Sequence, residues 1–378
     1  MYHVKTMNKI SKIGLAELDD RFEISDTMEH EDAILVRSAK LHDYDFPAEL
    51  KCIARAGAGV NNIPLDRAAD AGIVVFNAPG ANANGVKELT IAALLLASRK
   101  ISQGITWVKE QSAAGADVAA VVEKGKAAYV GPEIMGKTLG VVGLGAIGVL
   151  VANAAAALGM KIVGYDPFLS VTHALNLTPG VEVVDTLPEL YAKADYISLH
   201  LPMNDATRGT LNEAAFAAMK DGVRIVNLAR GELVDTPAMK AALASGKCAA
   251  YVTDFPNSET AAMEGVVAIP HLGASTPESE DNCAMMAARE VKEYLDNGSI
   301  INSVNLPNLT MAWAAKTRVC VISKGADAAA IAGAVPAVAS ASNTRGEYAY
   351  TILDTDAAVD EAAIAAIPGV LRVRVLTR

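Results

Sequence analysis

Two short segments of this sequence hold side chains that can grip a carboxylate and move a proton. In Asn227-Leu228-Ala229-Arg230-Gly231-Glu232-Leu233-Val234-Asp235, an arginine follows an apolar run and precedes a glycine. A guanidinium carried at such a turn can hold a carboxylate through two parallel hydrogen bonds. In Pro270-His271-Leu272-Gly273-Ala274-Ser275-Thr276, a histidine stands between a proline and a small-residue loop. A neutral imidazole near pH 7 can accept the proton that a hydroxyl loses as its carbon gives up hydride. A carboxylate on the far ring nitrogen would hold the ring and favour its protonated form, and Glu259 is close enough in sequence to serve. Of the six histidines, His3, His30, His42 and His173 read as solvated and His200 as packing at a strand end. That leaves His271 as the histidine with a chemical context.

A hydride acceptor has its own signature upstream, in Gly143-Leu144-Gly145-Ala146-Ile147-Gly148. This stretch follows the apolar run Thr138–Val142 and opens an alanine-rich segment that ends near Leu158, the order strand, glycine turn, helix. Gly143 permits the tight turn, Gly145 lets a pyrophosphate approach the backbone, and Gly148 lets the helix lie close to the strand. The helix N-terminus, at Ala146 and Ile147, offers free N–H groups and partial positive charge to the phosphates. A second strand, Lys161–Tyr165, ends at Asp166, eighteen residues past Gly148. A carboxylate there can accept hydrogen bonds from an adenosine ribose and would repel a 2′-phosphate, which favours NAD over NADP.

These groups need a large scaffold. At 378 residues the chain is expected to form two or three domains. The composition is 52% hydrophobic and 5% aromatic, suited to a soluble α/β protein with a core of Val, Ile, Leu and Ala. The formal net charge of −10, without a run of five like charges, argues against a nucleic acid or an anionic membrane as the main partner. Cys52, Cys248, Cys283 and Cys320 are scattered, with no paired metal-ligand spacing and no disulfide framework, so a reducing cytoplasmic setting and no metal are expected. The N-terminus lacks the layout of a signal peptide. Residues 141–160 carry no charge, but they divide into strand, turn and helix and read as core rather than a membrane span.

Before the glycine turn, Ala33–Arg37, Lys51–Arg55 and Ile73–Asn77 read as strands and Val86–Ser98 as a buried helix. After it, strands are expected at Tyr196–Leu201, Val223–Ala229, Ala249–Thr253 and Val266–Ile269, mostly alternating with helices, the pattern of a parallel doubly wound sheet. Pro277–Asn297 reads as a helix returning the chain to its first domain, and two such domains would leave a cleft between them. From about Thr317 a βαββαβ order fits a small ferredoxin-like module. The expected domains are 1–100 with 275–312, 101–274, and 316–378.

The segments 136–148, 227–235 and 270–276 together resemble the D-isomer-specific 2-hydroxyacid dehydrogenase family, over nearly residues 1–310. Within it, Arg55-Ala56-Gly57-Ala58-Gly59-Val60-Asn61-Asn62 resembles the substrate-domain loop of the D-3-phosphoglycerate dehydrogenases, and the C-terminal module resembles an ACT domain. The resemblance implies a flavodoxin-like substrate domain and a Rossmann NAD domain. It implies that Arg230 binds the carboxylate, His271 is the acid/base, and a glutamate pairs with that histidine. NAD contacts are implied for Asp166, for Leu201 and Pro202, for Leu228 and Ala229, for Asp254, and for Gly273 and Ala274. The chain departs from the family where Asp-Val-Phe is usual: it reads Asp254-Phe255-Pro256-Asn257-Ser258-Glu259, so either Glu259 or Ser258 stands at the glutamate position. The terminal module has Lys324-Gly325-Ala326-Asp327 where Asn-x-Pro-Gly is common, which leaves feedback by serine open.

For a substrate phosphate the candidates are Arg55, with Ala56 and Gly57 of its loop, then Arg37 with Ser38, and Lys87. The implied activity is NAD-dependent oxidation of 3-phospho-D-glycerate to 3-phosphohydroxypyruvate, the first step of serine biosynthesis, by a homodimer or homotetramer. An unphosphorylated hydroxyacid dehydrogenase, reducing glyoxylate or hydroxypyruvate, is the near alternative. A non-catalytic NAD-sensing protein is the alternative from another class.

Overall fold

The computed structural model describes all 378 residues. Residues 1–82 run β1 (Tyr2–Met7), α1 (Lys12–Leu15), β2 (Phe22–Ser25), β3 (Ala33–Val36), β4 (Cys52–Arg55), α2 (Leu65–Asp70) and β5 (Val74–Asn77). Next come α3 (Ala83–Ser98), α4 (Ile101–Ala113), α5 (Val118–Gly125), β6 (Thr138–Val142), α6 (Ala146–Ala157), β7 (Lys161–Tyr165), α7 (Val171–Leu175), β8 (Glu182–Val183) and α8 (Leu187–Lys193). They are followed by β9 (Tyr196–Leu199), α9 (Glu213–Ala218), β10 (Val223–Asn227), α10 (Thr236–Ala244), β11 (Cys248–Thr253), α11 (Ser258–Ala262) and β12 (Val266–Ala268). The chain closes with α12 (Pro277–Asn297), β13 (Thr317–Lys324), α13 (Ala328–Gly333), β14 (Ala339–Arg345), β15 (Tyr348–Thr355), α14 (Glu361–Ala365) and β16 (Val370–Thr377). Two compact units result, one of residues 1–82 with 277–378 and one of residues 83–276.

The first unit is built on a parallel sheet of order β2-β1-β3-β4-β5. Its central strands are buried on both faces, so they are apolar at successive positions. Ala33, Leu35, Cys52, Ala54, Val74 and Phe76 face α12, which presents Ala284, Ala287, Ala288, Val291 and Tyr294 at helical spacing. Ile34, Val36, Ile53 and Val75 fill the other face with Leu41, Leu50 and Ile63.

The C-terminal module is an antiparallel sheet of order β14-β15-β13-β16. One face packs its own helices through Val319, Val321, Ile331, Leu353 and Ile364. The other face, through Cys320, Ile322, Tyr350 and Ile352, belongs to the same core as α12 and the first sheet. The expected separate third domain is therefore part of the first unit. Arg318 donates to Asp354 through Nε (2.7 Å) and Nη2 (2.9 Å) with both side chains fully buried, and its Nη1 reaches the Asn297 carbonyl at 2.9 Å. The Lys324 loop is tied down as well, because Lys324 Nζ and the Tyr348 hydroxyl each lie 2.7 Å from Asp70 Oδ1.

The second unit holds a seven-stranded sheet of order β12-β11-β10-β9-β6-β7-β8, parallel throughout. Alanines at 93, 97, 152 and 155 make the buried faces of α3 and α6. This places α3 with the second unit and moves the boundary from residue 100 to 82. The uncharged stretch 141–160 divides into β6, the turn and α6, and no helix is long and apolar enough to cross a membrane. Residues 101–129 add two helices outside the expected strand–helix alternation. Neither α4 nor α5 buries a residue; Trp107 and Tyr129 pair at 5.6 Å, and Ile101, Ile105 and Val108 form an exposed apolar stripe.

Candidate active site

The carboxyl edge of the second sheet collects the expected groups. β10 ends at Asn227, whose buried side chain braces the loop that follows: Nδ2 donates to the Arg230 carbonyl (2.8 Å) and Oδ1 accepts from the Ala229 N–H (3.1 Å). Arg230 leaves this loop half-buried, its Nη1 donating to the Ala229 carbonyl at 2.6 Å. β11 ends at Thr253, and the next residues are Asp254 and Phe255. The Phe255 ring lies 5.4 Å from the Arg230 guanidinium and 4.4 Å from the His271 ring, so one aromatic side chain sits against both functional groups. His271 itself is exposed. Neither Asn227 nor Phe255 was singled out from the sequence; a buried asparagine at a strand end was the one available signal.

Asp254 is nearly fully buried and its Oδ2 accepts from the Gly273 N–H at 3.0 Å. Burial pushes its carboxyl above the usual range, against the pull of that amide and of the charge on His271. Its Oδ1 is buried without a partner.

Glu259 is elsewhere. Asn257 caps α11, accepting from the N–H groups of Glu259 (3.0 Å) and Thr260 (2.8 Å), and Thr260 returns a bond to the Asn257 N–H (2.9 Å). This capping box fixes the first turn so that Glu259 faces Lys240 at 3.5 Å. It lines a recess with Arg224 and Cys248, at the starts of β10 and β11, the end of the sheet opposite Arg230. The structure therefore does not bring Glu259 to His271 as expected; it pairs Glu259 with Lys240 instead. Ser258, the other candidate for that position, is the exposed first residue of α11.

The glycine turn is strict. Gly143 has φ of +94°, and a Cβ there would lie 2.7 Å from the His200 carbonyl oxygen and 3.2 Å from Leu201 Cδ2. A Cβ on Gly148 would lie 1.9 Å from the Gly143 carbonyl oxygen, so α6 can approach β6 only with glycine there. Gly145 heads α6 with open space around it, as an incoming pyrophosphate requires. Asp166 stands at the end of β7, its Oδ2 accepting from the Leu144 N–H (2.9 Å) and its Oδ1 from the Phe168 N–H (2.8 Å). Each oxygen keeps a lone pair for a ribose hydroxyl. Leu201 and Pro202 follow β9, Leu228 and Ala229 follow β10, and Gly273 and Ala274 follow His271, all beyond the carboxyl ends of their strands. Burial holds His200 neutral, with its pKa pushed down to about 4, and its Nε2 lies 2.9 Å from Ser198 Oγ. An open glycine cradle, a ribose-facing carboxylate and an orphaned buried acceptor at Asp254 together fit a dinucleotide.

The substrate candidates divide between the units. Arg37, Ser38, Arg55, Ala56 and Gly57 lie at the carboxyl ends of β3 and β4 in the first unit. Arg55 Nε donates to the Arg37 carbonyl at 3.1 Å, and Arg37 pairs with Glu280 of α12 at 2.7 Å. Lys87 belongs to α3 in the second unit, 3.6 Å from Glu88.

Residues 91–273 match the family model described as D-isomer specific 2-hydroxyacid dehydrogenase, NAD binding domain. The chain is 35% identical over 315 residues to a D-3-phosphoglycerate dehydrogenase of Methanocaldococcus jannaschii, covering 81% of this chain and 58% of that protein. It thus spans about three-fifths of that relative's length. Among solved structures it resembles an NAD+-bound 3-phosphoglycerate dehydrogenase of Entamoeba histolytica, with TM-score 0.62, 26% identity and coverage of 82% of this chain and 99% of the other. An apo D-mandelate dehydrogenase of Rhodotorula graminis is similar too, at TM-score 0.66, 26% identity, and 82% and 99% coverage.

Proposed function

We propose that the chain, whose residues 91–273 match the NAD-binding domain of the D-isomer-specific 2-hydroxyacid dehydrogenases, oxidises 3-phospho-D-glycerate to 3-phosphohydroxypyruvate with NAD, the step that opens serine biosynthesis. The observation that carries the reading is the meeting of Arg230 and His271 on the Phe255 ring, at the carboxyl edge of the sheet that bears the glycine turn. Arg230 holds the substrate carboxylate and, from the same fork, polarises the oxygen that becomes a carbonyl. His271 takes the proton of the C2 hydroxyl as the C2 hydride leaves, and the buried Asp254 carboxylate holds the loop after His271 through the Gly273 N–H. Bound NAD supplies the acceptor for that hydride. Gly143, Gly145, Ala146, Ile147 and Gly148 would cradle its pyrophosphate and Asp166 its ribose, with Asp254, Leu201, Pro202, Leu228, Ala229, Gly273 and Ala274 lining the remainder. Arg55, with Ala56 and Gly57, and Arg37 with Ser38 meet the phosphate; Lys87 is a further cation for the acid.

The exposed stripe of Ile101, Ile105 and Val108 supports a homodimer in which two copies bury α4 against one another, with a tetramer as a pair of such dimers. The four buried free cysteines suit a reducing cytoplasm. A second reading, an unphosphorylated hydroxyacid dehydrogenase, draws on the likeness to the D-mandelate enzyme. Assay of NADH formation with 3-phosphoglycerate, the product being scavenged, separates the two. Turnover there supports the first; turnover with hydroxypyruvate or glyoxylate alone establishes the second. NAD binding without turnover of any of these acids would make the protein a sensor.

A further inference from the structure

The first sheet runs β2-β1-β3-β4-β5, so its winding reverses between β1 and β3. The crevice outside the carboxyl ends of those two strands is where open parallel sheets take their ligands. Asn8 crosses it. Directly after β1, its Oδ1 accepts from the backbone N–H groups of Ala39 (2.8 Å), Ser38 (3.0 Å) and Arg37 (3.4 Å). Three successive amides aimed at one point form a nest of the kind that binds anions. Here a neutral carboxamide fills it. Asn8 also holds φ at +94°, a left-handed conformation that a residue other than glycine keeps only when its surroundings impose it.

The turn pinned by Asn8 governs the cations beside it. The Arg37 carbonyl orients Arg55 through Nε (3.1 Å), and the Ala39 carbonyl accepts from Asn62 Nδ2 (2.7 Å). The Arg55 guanidinium lies over Gly57 so closely that a Cβ there would stand 2.2 Å from Nη1. A shift of residues 37–39 therefore moves a carbonyl that holds the Arg55 guanidinium through Nε.

We propose that Asn8 is a positioning residue for the phosphate end of the substrate. By filling the nest it fixes the 37–39 turn and, through the Arg37 carbonyl, aims Arg55. The phosphate is met by guanidinium forks and the Ser38 hydroxyl rather than by the amides, which are already occupied. The assignment rests on the reading of Arg37, Ser38 and Arg55 as phosphate ligands.

The test uses the full chain and two variants. Asn8→Gly removes the oxygen, and glycine adopts φ of +94° without strain, so the fold is spared. Asn8→Asp keeps an acceptor in place. Asn8→Gly should raise the KM for 3-phosphoglycerate about tenfold, with kcat within about twofold and NAD affinity unchanged, as expected for lost ground-state and transition-state binding alike. Asn8→Asp should bring that KM back to within about threefold of the parent. A KM for Asn8→Gly equal to the parent's overturns the proposal, as does a parallel fall in kcat and NAD affinity, which would mark a merely structural residue. A parent enzyme that ignores 3-phosphoglycerate but reduces hydroxypyruvate fails at the earlier step, and the role of Asn8 falls with it.

Discussion

Replacing Glu259 by glutamine should leave the proposed activity almost unaltered, although nearness in sequence makes this residue a candidate partner of His271. The structure sets the magnitude. Glu259 and Lys240 are both more than half exposed and 3.5 Å apart, a surface pair worth about 0.2–1 kcal/mol of stability. The capping box of α11 uses Asn257 and Thr260, which the substitution leaves in place. We therefore expect kcat and kcat/KM within about twofold of the parent across pH 6–9, and a thermal midpoint shifted by at most a few degrees. The same change at Asp254 is the control. Asp254→Asn removes the buried carboxylate that accepts from the Gly273 N–H in the loop directly after His271, and a group that orients a functional side chain typically contributes about 10- to 100-fold. Steady-state NADH formation over that pH range, measured for both variants, decides between them. A loss of more than about tenfold in Glu259→Gln, with Asp254→Asn unaffected, would refute the assignment and restore Glu259 to the histidine.

Gly148→Ala should abolish detectable NAD binding in a fluorescence titration, since its Cβ would meet a backbone oxygen at 1.9 Å and neither helix nor turn can yield cheaply. Arg318→Leu should lower the unfolding free energy measured in urea by about 3–5 kcal/mol, because Asp354 is left charged and buried without its partner. Glu290, buried on α12 with Oε1 accepting from Asn302 Nδ2 at 2.7 Å and Oε2 unpaired, has its carboxyl pushed up to about 8 by burial. Between the ordinary glutamate value near 4.5 and about 8, the native state holds a proton that the unfolded chain has released, so this group makes stability fall as pH rises. Glu290→Gln should remove that slope, on the order of 1 kcal/mol per pH unit, in urea midpoints compared at pH 5.5 and 8.

Much of the site was legible because its demands are local. Gly148 is imposed by the Gly143 carbonyl five residues earlier, Gly143 by its left-handed φ, and Arg230 and His271 stand just beyond apolar runs at turns. Glu259 was misread because nearness along the chain says nothing of direction: a capping asparagine two residues earlier turns it to the opposite end of the sheet. The boundary at residue 82 was missed for a related reason. An apolar helix such as α3 shows that it is buried, but its pattern does not say which sheet covers it. The C-terminal order βαββαβ was readable, yet the docking of its outer face depends on Cys320, Ile322, Tyr350 and Ile352 finding a core laid down some 250 residues earlier. β1 and β2 escaped notice because Lys5 and Glu23 break their apolar runs, and the polar turn after β1 hid Asn8, whose role appears only when three distant amides close around it.

The shared core of the first unit bears on how the chain is made. Residues 83–276 are continuous and can complete their sheet as soon as they emerge from the ribosome. The sheet begun by β1 cannot. Its face lined by Ala33, Leu35, Cys52, Ala54, Val74 and Phe76 waits for α12, some 200 residues later, and then for β13 and β15. Contacts that span such separations form slowly, and an apolar sheet face left open meanwhile invites association with other chains. Yield during synthesis should therefore depend on how quickly residues 277–378 follow the segment before them, and a pause in translation just before α12 would be the most damaging place for one.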